Sequence, residues 1–334
     1  MAGRTRRILL TTATVAVGLL VGLALVEAGA RALGHQPRRP MDKPEPPIHV
    51  PDPELGWKQV PGHYLFGPYM PDAPPVRVTI RPDGSRETGA GDAAGRPEVV
   101  LVGCSFTMGW AVSDDETWAW RVQELRPDLE VVNRGVGGYG TLQSLMVIEQ
   151  LIGHDGRRPA RVLYGFIDHG ARNVAAATWL WALSFNQHTI ATPYCTLSAD
   201  NQLERHPPEA YPSLPLHEYL ASVTLLEGKL LEHQVNGRWK MAVPVTRLLL
   251  QEMADECRAA GVGFSLVLLH VPPQVKEAYE RFARDHQIDV IDCNRALTVA
   301  DIVPGEVHPN AQVHRQWGDC IAAALAEPAR LPPG

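Results

Sequence analysis

The sequence predicts an α/β fold: a three-layer α/β/α domain around about five parallel strands, preceded by one N-terminal transmembrane helix. Three observations predict it. After Gly95, short β-branched runs alternate with helix-like segments. The first, third and fourth of these runs are almost continuously apolar, as strands covered on both faces are. The chain also opens on Ile8–Val26, 19 residues without a charge.

That run is close to the ~20 residues a helix needs to cross a bilayer core. Arg4, Arg6 and Arg7 stand directly before it, so the start of the chain is expected to stay cytoplasmic and the rest to be exported. Residues 1–33 therefore read as a membrane anchor or a signal. Ala28-Gly29-Ala30 would serve as a cleavage site, but the run is longer than a usual signal core, which favours a single-pass anchor over secretion after cleavage. Residues 34–95 read as a Pro-rich spacer and lead-in: Pro37, Pro40, Pro44, Pro46, Pro47, Pro51 and Pro53 disfavour helix and sheet interior alike. The first strand-like run, Val76 to Ile80, closes in the turn Pro82-Asp83-Gly84.

Residues 96–330 carry the alternation. Strand-like runs cover Glu98 to Val102, Glu130 to Asn133, Arg161 to Ile167, Gly263 to Leu269 and Ile288 to Asp292. Helix-like segments cover Glu116 to Leu125, Thr141 to Ile152, Val243 to Ala260, Pro273 to Asp285 and Ala311 to Ala326. In the third of these helices, Val245, Leu248, Leu249, Met253 and Cys257 form an apolar stripe facing a sheet, and Gly261 supplies a stop. Residues 175–240 break the pattern and read as an insertion. Its aromatics (Trp179, Trp181, Phe185, Tyr194, Tyr211, Tyr219 and Trp239) either shape a substrate pocket or pack the insertion onto the domain.

A net charge of -6 excludes nucleic acid as a partner, because counterion release needs clustered Lys and Arg. The five cysteines lack metal-type spacing, so no zinc site is expected; an exported chain permits a disulfide, whose pairing the spacing does not assign.

Two stretches carry candidate chemistry. The apolar strand Val99-Val100-Leu101-Val102 runs into Gly103-Cys104-Ser105, which sets Ser105 at the carboxyl end of a strand, where open α/β sheets bind ligands. Helix capping is the alternative role for such a serine. Near the C-terminus stands Glu306-Val307-His308-Pro309-Asn310. A serine hydroxyl needs an imidazole to take its proton, and the imidazole works best when a carboxylate fixes its tautomer, so His308 is the candidate base and Glu306 the orienting acid. A surface or capping histidine is the alternative here.

Together the two stretches resemble the SGNH/GDSL hydrolase superfamily, over most of the exported domain. The Gly-Asp-Ser block of that family corresponds to Gly103-Cys104-Ser105, with cysteine in place of the acid. Its glycine block resembles Asn133-Arg134-Gly135-Val136-Gly137-Gly138-Tyr139-Gly140, so the resemblance implies an oxyanion hole formed by the backbone N–H groups of Ser105 and Gly138. The family's third block offers an asparagine amide as a further donor. Here the matching stretch is Asp168-His169-Gly170-Ala171-Arg172-Asn173, and His169, Asp168 or Asn173 fills the place; an ionised aspartate has no hydrogen to donate, whereas an imidazole N–H or an amide has. Asp52-Pro53-Glu54-Leu55-Gly56-Trp57-Lys58 is similar to a segment ahead of the domain in membrane-anchored members. The resemblance implies a flavodoxin-like sheet and a serine esterase or O-acyl (acetyl) transferase without metal or cofactor. It acts outside the cytoplasm on an ester, with acylated polysaccharide as the implied substrate. A catalytically impaired carbohydrate- or partner-binding module is the alternative.

Overall fold

The computed structural model describes residues 2–39, 46–69, 74–91, 95–154, 158–186 and 191–326. Pro40 and Pro44 of the Pro-rich stretch, the side chain of Phe185 and residues 327–330 lie outside the described set. In chain order the elements are α1 (Ala2–Ala32), β1 (His49–Asp52), β2 (Gly56–Gln59), β3 (Gly62–Phe66), β4 (Val76–Ile80), β5 (Glu98–Gly103), α2 (Ser105–Met108), α3 (Trp118–Leu125), β6 (Glu130–Asn133), α4 (Thr141–Glu149), β7 (Arg161–Ile167) and α5 (Gly170–Asn173). There follow α6 (Ala177–Asn186), β8 (Ala191–Leu197), β9 (Leu203–Ala210), α7 (Ala221–Gln234), α8 (Ala242–Ala259), β10 (Gly263–His270), α9 (Pro273–Asp285), β11 (Asp289–Asp292) and α10 (Ala311–Ala326).

The chain divides into two compact units: Met1–Lys43, Ala177–Ile190 and Ala210–Asn236 make the first, and Pro44–Ala176, Ala191–Glu209 and Gly237–Gly334 the second. The second unit is built on a five-stranded sheet, ordered β11-β10-β7-β5-β6, whose neighbours are all parallel. Numbered along the chain this is the doubly wound order 2-1-3-4-5, whose switch point falls between β5 and β7. Side chains along a strand alternate between faces, and β5 shows the result. Val100 and Val102 join α4, α8 and α9 in one apolar core, while Val99 and Leu101 join α3 and α10, with Trp118 and Trp317, in another. Three layers follow. Observed strand bounds match the sequence expectation to within one residue at every end.

Two expectations are corrected. Within residues 34–95, read as spacer and lead-in, the strands pair antiparallel as β1–β2 and β3–β4 and belong to the second unit. Ile48, Tyr64, Phe66, Val78 and Ile80 pack there on Met108. Pro51 stands in β1, Pro193 in β8, and Pro207 and Pro208 in β9, all in two-stranded ribbons. Such ribbons leave half their N–H groups unpaired, which is where a strand tolerates proline. The insertion 175–240 is not one piece either: the β8–β9 hairpin falls in the second unit and α6 and α7 in the first.

Cys293 and Cys320 are joined, tying the end of β11 to α10, and Cys104, Cys195 and Cys257 are free and buried. Closing a loop across a separation of 27 residues stabilises by about 3–4 kcal/mol in the chain-entropy picture.

In the first unit, α1 is long and apolar enough over Arg4–Ala32 to cross a membrane, by length and composition. Its last turns hold the start of α7. Glu27 accepts hydrogen bonds from the Ala221 N–H (3.0 Å), the Ser222 N–H (2.9 Å) and the Ser222 hydroxyl (2.7 Å), and Arg31 donates to the Tyr219 carbonyl at 2.9 Å.

Candidate active site

Ser105 opens α2 directly after β5, beside the switch point of the sheet, and is 6% exposed. Its hydroxyl and its backbone N–H make no hydrogen bond to any described residue, whereas its carbonyl accepts from Gly109 and Trp110. The turn is held from behind. Arg86, fully buried, donates to the carbonyls of Met108 (2.9 Å), Gly109 and Val112 (2.7 Å) and pairs with Asp114 at 3.0 Å. Buried charge costs several kcal/mol unless it is paired and hydrogen-bonded, and here it is both. Asn133 adds a 2.9 Å hydrogen bond to the Thr107 carbonyl.

His308 reaches the same end of the sheet from the loop before α10. Its ring lies 6.1 Å from the Phe106 ring and 6.1 Å from the Trp110 ring, centroid to centroid. Nδ1 faces Glu306 at 2.8 Å, and Nε2 has no hydrogen-bond partner among the described residues. The side chain is 17% exposed. Burial pushes the Glu306 carboxyl up, but the His308 hydrogen bond and charge, the Val307 N–H and the Trp110 indole outweigh it, and the net shift is downward. The carboxylate so favoured accepts a proton-bearing Nδ1, which leaves Nε2 as the acceptor face.

The glycine block approaches α2 at close range. A Cβ on Gly135 would stand 2.5 Å from the Met108 nitrogen and 2.8 Å from the Thr107 carbonyl carbon, so only glycine fits. Gly138 has φ +85°, a conformation glycine adopts without strain, and its N–H has no partner among the described residues. The block is braced by the segment Asp52–Lys58 and its neighbour: Trp57 donates its indole N–H to the Gly137 carbonyl at 2.9 Å, Gln59 donates to Gly135 at 3.1 Å, and the Tyr139 hydroxyl donates to the Trp57 carbonyl at 2.5 Å.

The three candidates for the further donor separate cleanly. Asn173 does not face Ser105: its amide donates to the Thr141 and Thr246 hydroxyls at 3.0 and 2.8 Å, and its oxygen accepts from the Thr141 N–H at 2.7 Å. The oxygen caps α4 and both amide hydrogens are taken, one by Thr141 of α4 and one by Thr246 of α8, so Asn173 is a structural residue. Asp168 accepts from the Tyr279 hydroxyl at 3.2 Å. His169 differs, because its Nε2 is buried without a partner among the described residues. Burial, with the charges of Arg172, His270 and His308 adding, pushes its pKa well below the ordinary value, so the ring is neutral at pH 7 and carries one N–H.

Several residues escaped the sequence reading. Arg172 donates to the Tyr139 carbonyl at 2.9 Å, next to Gly138, and its guanidinium faces the Cys104 thiol. Cys104 therefore has a cationic neighbour. His270, at the end of β10, lies 6.4 Å from Phe106. His49 stacks 6.3 Å from Trp110, and Tyr69 lies close enough to Glu306 for that charge to add to burial in pushing its hydroxyl up to about 12. No local signal marks these residues. His49 and Tyr69 sit in the stretch whose prolines read as spacer.

No family model and no curated protein matches the sequence. Solved structures do resemble the chain. A member of the lipolytic protein G-D-S-L family from Veillonella parvula is 13% identical over 69% of this chain and 99% of its own, with a TM-score of 0.40. A psychrotrophic esterase from Pseudoalteromonas is 11% identical over 69% of this chain and 100% of its own, with a TM-score of 0.41. A catalytic mutant of an acetylxylan esterase from Geobacillus stearothermophilus is 11% identical over 70% of this chain and 95% of its own, with a TM-score of 0.38.

Proposed function

We propose that the chain is a serine-dependent ester hydrolase of the SGNH/GDSL type, held by α1 on the outer face of a membrane. Ser105 is the nucleophile, His308 the base and Glu306 the carboxylate that orients it. The observation that carries this reading is the Glu306–His308 pair: Nδ1 is engaged at 2.8 Å, Nε2 is open, and the ring touches the residue that follows Ser105.

The chemistry follows from these positions. As the Ser105 oxygen attacks the ester carbonyl, its proton passes to His308 Nε2 and a tetrahedral oxyanion forms. The N–H groups of Ser105 and Gly138 and the neutral ring of His169 donate to that oxyanion. Collapse expels the alcohol, which takes the proton from His308 and leaves an acyl group on Ser105. Water, or a sugar hydroxyl in the transferase variant of the same reaction, then attacks the acyl carbon and gives its proton to His308; collapse breaks the acyl bond to Ser105, whose oxygen takes that proton back from His308. Carbohydrate O-acetyl esters are the substrate class we propose, on the family resemblance and the extracytoplasmic placement.

A fluorophosphonate probe is expected to label the full-length protein, with the adduct on the tryptic peptide carrying Ser105. A folded protein that stays unlabelled favours the second reading, a binding module, to which the absence of a hydrogen bond from the Ser105 hydroxyl to any described residue lends support.

Replacing His169 tests the third donor. Loss of one oxyanion donor slows acyl transfer by about 100-fold or more. His169→Ala is expected to lower kcat on p-nitrophenyl acetate by roughly that factor with little change in KM, and His169→Asn, which restores an N–H, to recover part of it. An unchanged kcat in His169→Ala removes the residue from the hole.

A further inference from the structure

We infer that the first unit holds one glycerophospholipid of the bilayer that α1 crosses, with the lipid phosphate against Arg31 and Arg39 and an acyl chain between α6 and α7; this rests on reading α1 as an anchor.

The depth comes from the sequence. At 1.5 Å per residue, the uncharged run ending at Val26 spans roughly 28 Å, about one hydrocarbon core. Residues from Glu27 onward then lie among head groups. The start of α7 is tied to Glu27 and Arg31, so it sits at the same level. Leu33, Leu216, Tyr219, Leu226 and Leu230 of this unit are all exposed, a set suited to the lipid boundary and costly in water.

Two adjoining hollows in this unit match the two parts of such a lipid. The larger, about 660 Å³, has walls that include Pro37, Trp181, Leu225, Gly228 and Leu231. The second, about 500 Å³, is bounded by Arg31, Gln36, Pro37, Arg39 and Tyr219. Gln36 and Pro37 line both, so a head group in one continues into a chain in the other.

Charge selects the ligand. Arg31 pairs with Glu27, Arg38 with Glu227 at 3.6 Å, and Lys229 with Glu232 at 2.8 Å. Arg39 has no acidic partner among the described residues, which leaves one uncompensated cation beside the smaller hollow, the complement of a single phosphodiester. Arg38 points to an acceptor in the larger one. It lines that cavity, is 2% exposed and lies 4.1 Å over the Tyr211 ring, yet its Nε and Nη1 are buried with no hydrogen-bond partner among the described residues. Orphaned buried donors are costly, and the ester carbonyl of a lipid supplies what they lack.

The full-length protein in phosphatidylglycerol nanodiscs, with a trace of the same lipid bearing a diazirine on one acyl chain, provides the test. Photolysis is expected to mark α6, α7 or Gly34–Arg38 in addition to α1. Arg39→Ala, a surface change, and Gly228→Leu, where an added Cβ meets only the Trp181 edge at 3.9 Å and the rest grows into the cavity, are each expected to lower labelling outside α1 roughly tenfold, as loss of one charge-assisted contact or of the chain's space predicts. Labelling confined to α1, labelling that neither variant changes, or labelling abolished by excess inorganic phosphate overturns the proposal and leaves the anchor reading standing. A mature chain that begins at Arg31, or release of the protein by alkaline carbonate, overturns both.

Discussion

Ser105→Ala is expected to lower kcat on p-nitrophenyl acetate by about 10⁶-fold, the scale seen when the nucleophile of a serine triad is removed, with KM nearly unchanged. The loss should be chemical. The Ser105 hydroxyl makes no hydrogen bond to any described residue, so alanine removes no structural contact of the turn, and the melting temperature should move little. Cys104→Ala is the necessary companion, because a buried thiol stands beside the serine. If the thiol were the nucleophile, Cys104→Ala would be the dead variant and Ser105→Ala the active one. Turnover of Ser105→Ala within tenfold of wild type would end the nucleophile assignment.

His308→Ala is expected to cost nearly as much, again about 10⁶-fold in kcat, since nucleophile and base act as one unit and their losses do not add. The double variant should therefore be no slower than either single one. Glu306→Gln should cost less, roughly 10⁴-fold, because the amide keeps the shape but offers Nδ1 the wrong partner. The pH dependence has a fixed sign. Against the opposing effect of burial, the Glu306 carboxyl is held below its ordinary value chiefly by its hydrogen bond to His308, so the acceptor for Nδ1–H, and the stability that hydrogen bond contributes, are present above the unfolded-state value and fade only as pH falls through the lowered one. A Glu306→Gln enzyme with wild-type kcat near pH 7 would remove the carboxylate from the mechanism.

How far the site was legible varies residue by residue. Ser105 and His308 are proposed from the sequence because each sits in a short motif whose residue types match one chemistry. Gly138 is proposed from its place in a glycine block, and its φ is positive. The third donor stayed open between His169, Asp168 and Asn173 because what separates them is the company each side chain keeps. Thr141 and Thr246, which occupy the Asn173 amide, come from elements 32 and 73 residues away, and Tyr279, which engages Asp168, lies 111 residues on. Arg86 shows the same limit: nothing local marks it, yet it is fully buried against Asp114 and three carbonyls of the segment following Ser105.

By itself the sequence determined the α/β alternation, the strand bounds, the apolar N-terminal helix and the two motifs at either end of the domain. These depend on periodicity and on residue types close together in the chain, which neighbouring residues encode. Only the tertiary structure decided that the hairpins of the proline-rich lead-in are part of the second unit, that residues 175–240 are shared between two units, that Cys293 pairs with Cys320, and which polar groups of Asp168 and Asn173 are already occupied. Burial and hydrogen-bond satisfaction belong to groups brought together from distant parts of the chain, and no local pattern records them.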